Sequence, residues 1–363
     1  MSRLVRSLVE FIRPGTLHSP SIPPLEAGLR PNTRLETAAV LARSERHCLD
    51  DIVLAEGRLF VSAGTTVLEV QDDDTQYAIA ELSGDVTALA AANGRIMAAV
   101  DGVGLVAINP SGGFETWCSD PLVRRGVTAI ALATDDAPVL TIGSTSAGAD
   151  GWTRSLVSDD RSGLLLRVDP STGKVETLDT GLAWPSGVTV AGEEFLISLS
   201  HDHRIERGTL AQPRRRSVLR ANLPGYPGRI VALDDGGWWV AVPYLRNRAT
   251  ELILTETEAL ADMVRSVPEE LWLTPTHGVT NVYREPLQVG QLRVMGIVKP
   301  WAPPRSYGLA FRLDADGLIV ESVHSRPDGD VHGVTGIALP GRSTLVLVAR
   351  GSGKIVTLEE HHD

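Results

Sequence analysis

The sequence predicts an all-β fold, a six-bladed β-propeller that carries an N-terminal helix and a helical lid inserted in its fifth blade. Three observations carry this reading. Short runs of alternating apolar and polar residues, clearest in LLLRV, KVETL, GVTV, EFLISL and RIERGTL between Ser162 and Leu210, are cut by the turn signals DPSTGK, WPSG, AGEE and SHDH, which is the pattern of successive antiparallel strands. The same four-strand unit recurs along the chain at about 35 to 45 residues, the period of a propeller blade. The last set lacks its outermost strand, and an orphan run near the N-terminus, Leu35 to Ala42, can take that place and close the ring. A β-sandwich, the competing all-β fold, does not account for sixfold recurrence.

Taken in order, the chain begins MSRLVRSLVEFIRPG, where Leu4, Val5, Leu8, Val9 and Ile12 share one helical stripe and Arg3, Arg6 and Arg13 lie off it. Arg6 and Glu10 interrupt the apolar run and no A-x-A-like site follows, so a secretory signal is not expected and a cytoplasmic protein is. A helix docked on its own domain is the favoured reading of the stripe, because such stripes usually face a core. Peripheral contact with a membrane surface is the other. The five prolines between Pro14 and Pro31 mark an extended connector, which sets residues 1–33 apart from a propeller over 34–363.

The blades follow, each with strands a (innermost) to d (outermost). The first is DDIVLAEG, RLFVSAG, TVLEVQ and QYAIAEL; the second VTALAAANG, RIMAAVDG, GLVAINP and GFETWCS. The third, VTAIALATD, PVLTIGS, GLLLRVDP and KVETLDT, is interrupted over 145–162, and the fourth is SGVTVAG, EFLISLS, RIERGTL and RSVLRAN. The fifth, GRIVALDD, GWWVAVP, YGLAFRLD and LIVESVHS, is interrupted over 244–306, and the last holds VTGIALPG, TLVLVAR and KIVTLEE. Both interruptions join strand b to strand c, so both belong to one face of the ring and form a lid there. The second contains the helix-like TETEALADMVRSVPEEL, and the first carries Trp152.

The same face holds the start of every a strand, so Asp50, Val86, Thr128, Ser186, Gly228 and Thr335 are expected around the channel, with Asp51, Thr87, Ala129, Gly187, Arg229 and Gly336 beside them. Asp50 is a candidate base if desolvation raises its pKa, against an Asp that holds backbone N–H groups in a turn. His201 and His203 flank Asp202 on a b–c turn of this face and are candidate general bases, against a solvated turn. His332 is a further candidate, either touching ligand from blade six or capping a turn. Asp51, Thr128, Ser186 and Thr335 complete a ligand-binding ring, and Trp152, Trp184, Tyr244 and Trp301 offer an aromatic wall for a planar organic molecule. The net charge of −11 argues against a nucleic-acid surface. Cys48 and Cys118 have no metal-ligand spacing and read as small hydrophobes. GxSxG, GxGxxG, P-loop and HExxH motifs do not occur in supporting contexts.

SGLLLRVDPSTGKVETLDTGLAWPSGVTV, LPGYPGRIVALDDGGWWVAV and YGLAFRLDADGLIVESVHSRPDG resemble the strictosidine synthase-like proteins, six-bladed propellers related to the paraoxonase and SMP-30/gluconolactonase groups. The resemblance runs from about Asp50 to the C-terminus. It implies the fold, and it leaves the reaction open among a condensing enzyme, metal-dependent hydrolases and proteins without assigned chemistry. The calcium of the metal-dependent relatives is held by a Glu, two Asn and an Asp, at positions that are Asp50, Thr128, Ser186 and Gly228 here. That is a poor cage for an ion wanting six to eight oxygens, so neither metal nor cofactor is expected. The acid/base Glu of the condensing enzyme corresponds to Thr335, so strictosidine formation is not expected. Arg229 stands where the family usually has Asn. It either binds a substrate carboxylate or phosphate bidentately or fills the emptied metal site and neutralises Asp50 and Asp51, the second being favoured. The leading reading is a metal-independent enzyme that hydrolyses or condenses a small organic molecule, with Asp50, His201, His203 and His332 as acid/base candidates. The alternatives are a non-catalytic binding or scaffold propeller and a calcium-dependent lactonase with an atypical site.

Overall fold

The strands Gly104–Ile108, Pro138–Ile142 and Trp238–Ala241 are buried along their whole length. A sheet buried on both faces needs a neighbouring sheet on each side, and radial repetition supplies one. The computed structural model describes residues 29–359 apart from 45–47, 72–74, 135, 147–150, 279–292, 295–296, 299–304 and 342. In it, six four-stranded antiparallel sheets form that ring. The N-terminal helix at 1–13, most of the proline connector and Trp301 lie outside the described residues.

The innermost strands are Leu49–Ala55, Val86–Ala92, Val127–Leu132, Pro185–Ala191, Ile230–Ala232 and Val334–Gly341. Each touches the next in blade order, and the sixth touches the first, which closes the ring around a channel. The apolar core is divided into six wedges between consecutive blades. Phe60, Ile96 and Ile108 fill the one between blades one and two. Leu165, Phe195 and Ile197 fill that between three and four, and Leu49, Ile52, Val348 and Ile355 that between six and one. Each fully buried side chain of this size contributes about 1.5–3 kcal/mol.

The sixth sheet has the order Val334–Gly341, Thr344–Ala349, Lys354–Glu359 and, outermost, Ala39–Arg43. Ala39 lies opposite Thr357 and Arg43 opposite Lys354, so the orphan N-terminal strand fills the vacancy in the last blade. It is shorter than the sequence run implied. Arg34–Thr37 is a 3-10 turn, because Leu35 drives its side chain into the wedge between blades five and six rather than into the sheet.

Both interruptions are structured. The first carries a short helix, Trp152–Val157. The second carries Arg248–Thr255, Thr257–Ser266 and a 3-10 turn at Glu269–Leu271, instead of one helix over TETEALADMVRSVPEEL. The side chain of Asn247 caps the first helix by accepting from Ala249 N. Glu256 leaves helical geometry, and Pro268 forces the residue before it into extended backbone. Arg154 of the first insertion pairs with Glu269 of the second at 2.6 Å, so the two meet as one lid. No helix among the described residues is long and apolar enough to cross a membrane.

Candidate functional site

The residues that start the a strands converge as the repeat requires. Asp50, Val86, Thr128, Ser186, Gly228 and Thr335 all line one cavity of about 250 Å³ on the lid face, with Trp152, Trp184, Tyr244 and His277 above them. Arg229 forms its floor, and Asp51 points the other way, into a wider cavity of about 840 Å³ at the opposite end of the channel.

The floor is an ion cluster. Arg229 Nη2 donates to Asp50 Oδ2 at 2.8 Å and to the Thr87 carbonyl at 2.7 Å, and Nη1 donates to the Thr335 carbonyl at 3.0 Å and the Asp50 carbonyl at 3.4 Å. Its Nε lies 3.0 Å from Asp51 Oδ2. A guanidinium has five N–H groups; the four hydrogen bonds of Nη1 and Nη2 all go to protein oxygens, and Nε, buried, makes an ion pair with Asp51 without a hydrogen bond. Arg350 Nη1 takes the second Asp50 oxygen at 2.8 Å. Burial alone would raise the Asp50 pKa, but Arg229 and Arg350 hold its carboxyl well below the ordinary carboxylate range. Burial pushes Asp51 up, to about 6, against the pull of Arg229 and the backbone N–H of Leu89. Asp51 accepts from Leu89 N at 2.8 Å and from Ile52 N at 2.9 Å.

These residues do not fit a calcium ion. Both oxygens of Asp50 accept from arginines, and those of Asp51 accept from backbone N–H groups, with Arg229 as the ion-pair partner of one. Two ring hydroxyls are committed as well. Thr128 Oγ1 lies 2.5 Å from the Pro185 carbonyl, and Thr335 Oγ1 donates to the Asp50 carbonyl at 2.6 Å. Among the described residues no group of three or more His, Cys, Asp or Glu is placed to hold a metal. Cys48 borders the cavity, Cys118 is buried in the wedge between blades two and three, and both are free thiols.

The wall above the floor is a stack. Trp152 and Tyr244 lie face to face with centroids 3.9 Å apart, and Tyr244 and His277 likewise at 4.1 Å. Trp184 lines the cavity beside the stack, held at φ 45°, a left-handed value that costs a bulky residue energy. His277 was not among the sequence candidates. Two glycines of blade six seat it: a Cβ on Gly351 would lie 2.0 Å from the His277 carbonyl, and Gly333 both has φ 59° and would bring a Cβ within 2.4 Å of the same oxygen. Its ring bonds the Pro243 carbonyl, and its Nδ1 is buried without a partner. A carbonyl only accepts, so Nε2 carries the hydrogen and Nδ1 presents a bare lone pair. Burial, aided by Arg350, lowers its pKa to about 3, so the ring is neutral.

The other histidine candidates stand away from the residues that line this cavity. His201 lies behind the wall, 5.2 Å from the Trp152 ring and 5.7 Å from that of Trp184, and burial lowers its pKa to about 3. His203 belongs to the lid anchor. Its ring packs edge-on to Tyr226 at 4.4 Å and its Nε2 lies 3.7 Å from Glu251, with the pKa lowered to about 4 by burial and then by Arg246. Fully buried Tyr226 donates its hydroxyl to Glu251 at 3.2 Å, and Arg246 pairs with the other oxygen of Glu251 at 2.5 Å. His332 is buried in a turn of blade six, where its Nε2 meets the Gly329 carbonyl at 3.0 Å. Asp50, Thr128, Trp152, Ser186, Arg229, Tyr244 and Thr335 are therefore gathered in one place, and His201, His203 and His332 are dispersed around it.

No family model matches the chain. In sequence it is similar to strictosidine synthase-like protein 13 of Arabidopsis thaliana, 25% identical over 175 residues that make 47% of this chain and 37% of that one. It is also similar to adipocyte plasma membrane-associated protein of Gallus gallus, 34% identical over 88 residues, 23% of this chain and 21% of that one. The chain thus matches less than half the length of these relatives. In structure it is similar to regucalcin of Agrobacterium tumefaciens, described as a calcium-binding protein, with TM-score 0.57 and 13% identity over 90% of this chain and 96% of that one. A gluconolactonase of Xanthomonas campestris gives TM-score 0.56 and 11% identity over 88% and 87%. At such identities the likeness is one of fold. The chain is a six-bladed β-propeller related in sequence to the strictosidine synthase-like proteins and built on the fold that regucalcin and gluconolactonase share.

Proposed function

We propose that the chain is a metal-independent binding propeller for a small, flat organic molecule held between the aromatic lid and the Arg229 floor. The observation that carries this is the Trp152–Tyr244–His277 stack, with its partnerless Nδ1, lining the same cavity as the Arg229–Asp50 pair. Such a site favours a ring that stacks on Tyr244 and His277 and offers one N–H or O–H to Nδ1. The cluster of Arg229, Arg350, Asp50 and Asp51 is close to neutral, so no strongly charged ligand is favoured. The volume, about 250 Å³, lies under the ~300–1,000 Å³ typical of drug-sized ligands and suits one or two rings.

Binding is preferred to catalysis because the titratable groups are poorly tuned. A useful general base has its pKa near the working pH, whereas His277 is held to about 3 and Asp50 is tied to two arginines. The second reading is a metal-free hydrolase or C–N condensing enzyme in which His277 Nδ1 takes the proton; it is favoured by the position of that lone pair and by the kinds of protein the chain resembles.

Calorimetric titration with a panel of one- and two-ring phenols, amides and lactones tests both readings. A binder is expected whose affinity falls about tenfold in Tyr244→Ala and in His277→Gln, each loss being about 1.4 kcal/mol. A panel without a binder, or a binder indifferent to both substitutions, overturns the assignment. Turnover of a lactone or aryl ester that vanishes in His277→Gln promotes the second reading over the first.

A further inference from the structure

We infer that Arg229 is a built-in cation: its guanidinium ties three blades to its own at the channel axis, walls the two cavities from each other, and keeps closed a set of oxygens that would otherwise accept a divalent cation of the calcium class. This goes beyond the ligand reading and stands whether or not a ligand is found.

Five oxygens surround the guanidinium at 2.7–3.4 Å: the Asp50 carboxylate and carbonyl, the Asp51 carboxylate, and the Thr87 and Thr335 carbonyls. They come from blades one, two and six, while Arg229 itself immediately precedes the innermost strand of blade five. Two carboxylates and three carbonyls are the hard oxygen donors that calcium takes, and here they are gathered around one buried guanidinium. Adjacent buried carboxylates repel one another and are costly without a counter-charge. A covalently attached guanidinium supplies that charge and, with five directed N–H groups, fixes the positions of oxygens from three blades at once.

The geometry also makes Arg229 a partition. It borders the cavity of about 250 Å³ on the lid side and the one of about 840 Å³ on the other. Below it the wider cavity is lined by Val53, Ala131, Val231 and Leu339 together with the charged Asp234, Asp235 and Arg312. Cutting the side chain back vacates the centre of the oxygen set and joins the two cavities.

The test is melting and calcium titration of the whole chain, wild type beside Arg229→Gly and Arg229→Lys. Wild-type protein is expected to bind no calcium at millimolar concentration and to melt alike in EDTA and in calcium chloride. Arg229→Gly is expected to melt lower by about 5 °C or more. It should recover part of that loss in calcium or in methylguanidinium, and bind one Ca²⁺ with a Kd under about 1 mM, the weak end of protein calcium sites. Should Arg229→Gly be insoluble, Arg229→Lys decides. A lysine keeps the charge with three donors instead of five, so it should fold, melt below the wild type and gain no calcium site. An Arg229→Gly protein that melts as the wild type does and ignores both cations overturns the inference. So does a lysine variant that is insoluble or melts as the wild type does, and so does stoichiometric calcium in the wild type.

Discussion

At the scale of single residues, four buried or half-buried histidines around the lid and blade five are held neutral. His201 and His277 are pushed down to about 3 and His203 and His324 to about 4, burial being the first cause in each. A histidine whose pKa is lower in the fold than in the unfolded chain gives stability that is complete above its ordinary value, near 6.5, and drains away as the pH falls toward the folded value. Asp51 works in the opposite sense between about 4 and 6, since its pKa is raised, but it is one group against four. The melting temperature should therefore fall on acidification from pH 7 to pH 4, and His277→Gln should flatten that slope; a melt independent of pH over this window contradicts the burial described. The candidate site was partly legible at this scale. Asp50, Thr128, Ser186 and Thr335 follow from the strand repeat, because a period of two and a closed ring leave their positions no freedom. His277 does not, because it comes from an insertion with no repeat to register it, and its one signal is the glycine that follows it in TPTHGV. His201 and His203 occupy the correct turn, but a turn fixes where the backbone goes and not which way a ring points.

At the scale of elements, the lid depends on one carboxylate. Glu251 sits near the start of Arg248–Thr255 and accepts from Tyr226, in the body of the propeller, and from Arg246, at the root of the insertion, whose Nη1 donates to the Leu223 carbonyl of that body at 3.3 Å. The Arg246 side chain is 4% exposed, so Glu251→Gln strands a buried positive charge, a change worth about 3–5 kcal/mol where the pair is fully enclosed. The loss should be local. Limited proteolysis within 248–266 should quicken at least tenfold while the blades keep their circular dichroism; an unchanged cleavage rate shows that the lid is held by other contacts. The strands were legible because each blade repeats the same alternation, and the one error of kind, the 3-10 turn at Arg34–Thr37, arises where Leu35 leaves the sheet to fill a wedge. Helix Arg248–Thr255 is not legible in the sequence because RATELILT contains the run LIL, which reads as strand as readily as helix in eight residues.

At the scale of the whole molecule, stability is distributed over six inter-blade wedges, and closure makes the sum cooperative. A chain beginning at Ser44 lacks Ala39–Arg43 and leaves Lys354–Glu359 as an open edge. It should lose about 3–5 kcal/mol, roughly 10 °C in melting temperature, and associate in solution. A peptide of residues 34–44 added in trans should restore part of the loss by pairing with that edge; a truncated chain that melts as the full one does shows that the sixth blade stands without its fourth strand. Closure by Ala39–Arg43 also sets a schedule for biosynthesis. This strand leaves the ribosome before every other strand of the ring, yet its partner, Lys354–Glu359, is the last to be made. At about 5–20 residues per second the interval is tens of seconds, during which blades one to five can assemble in order while their first-made neighbour remains unmatched. The nascent ring therefore stays an open arc until Lys354–Glu359 has emerged, and the period in which it needs shelter from other chains lasts until then.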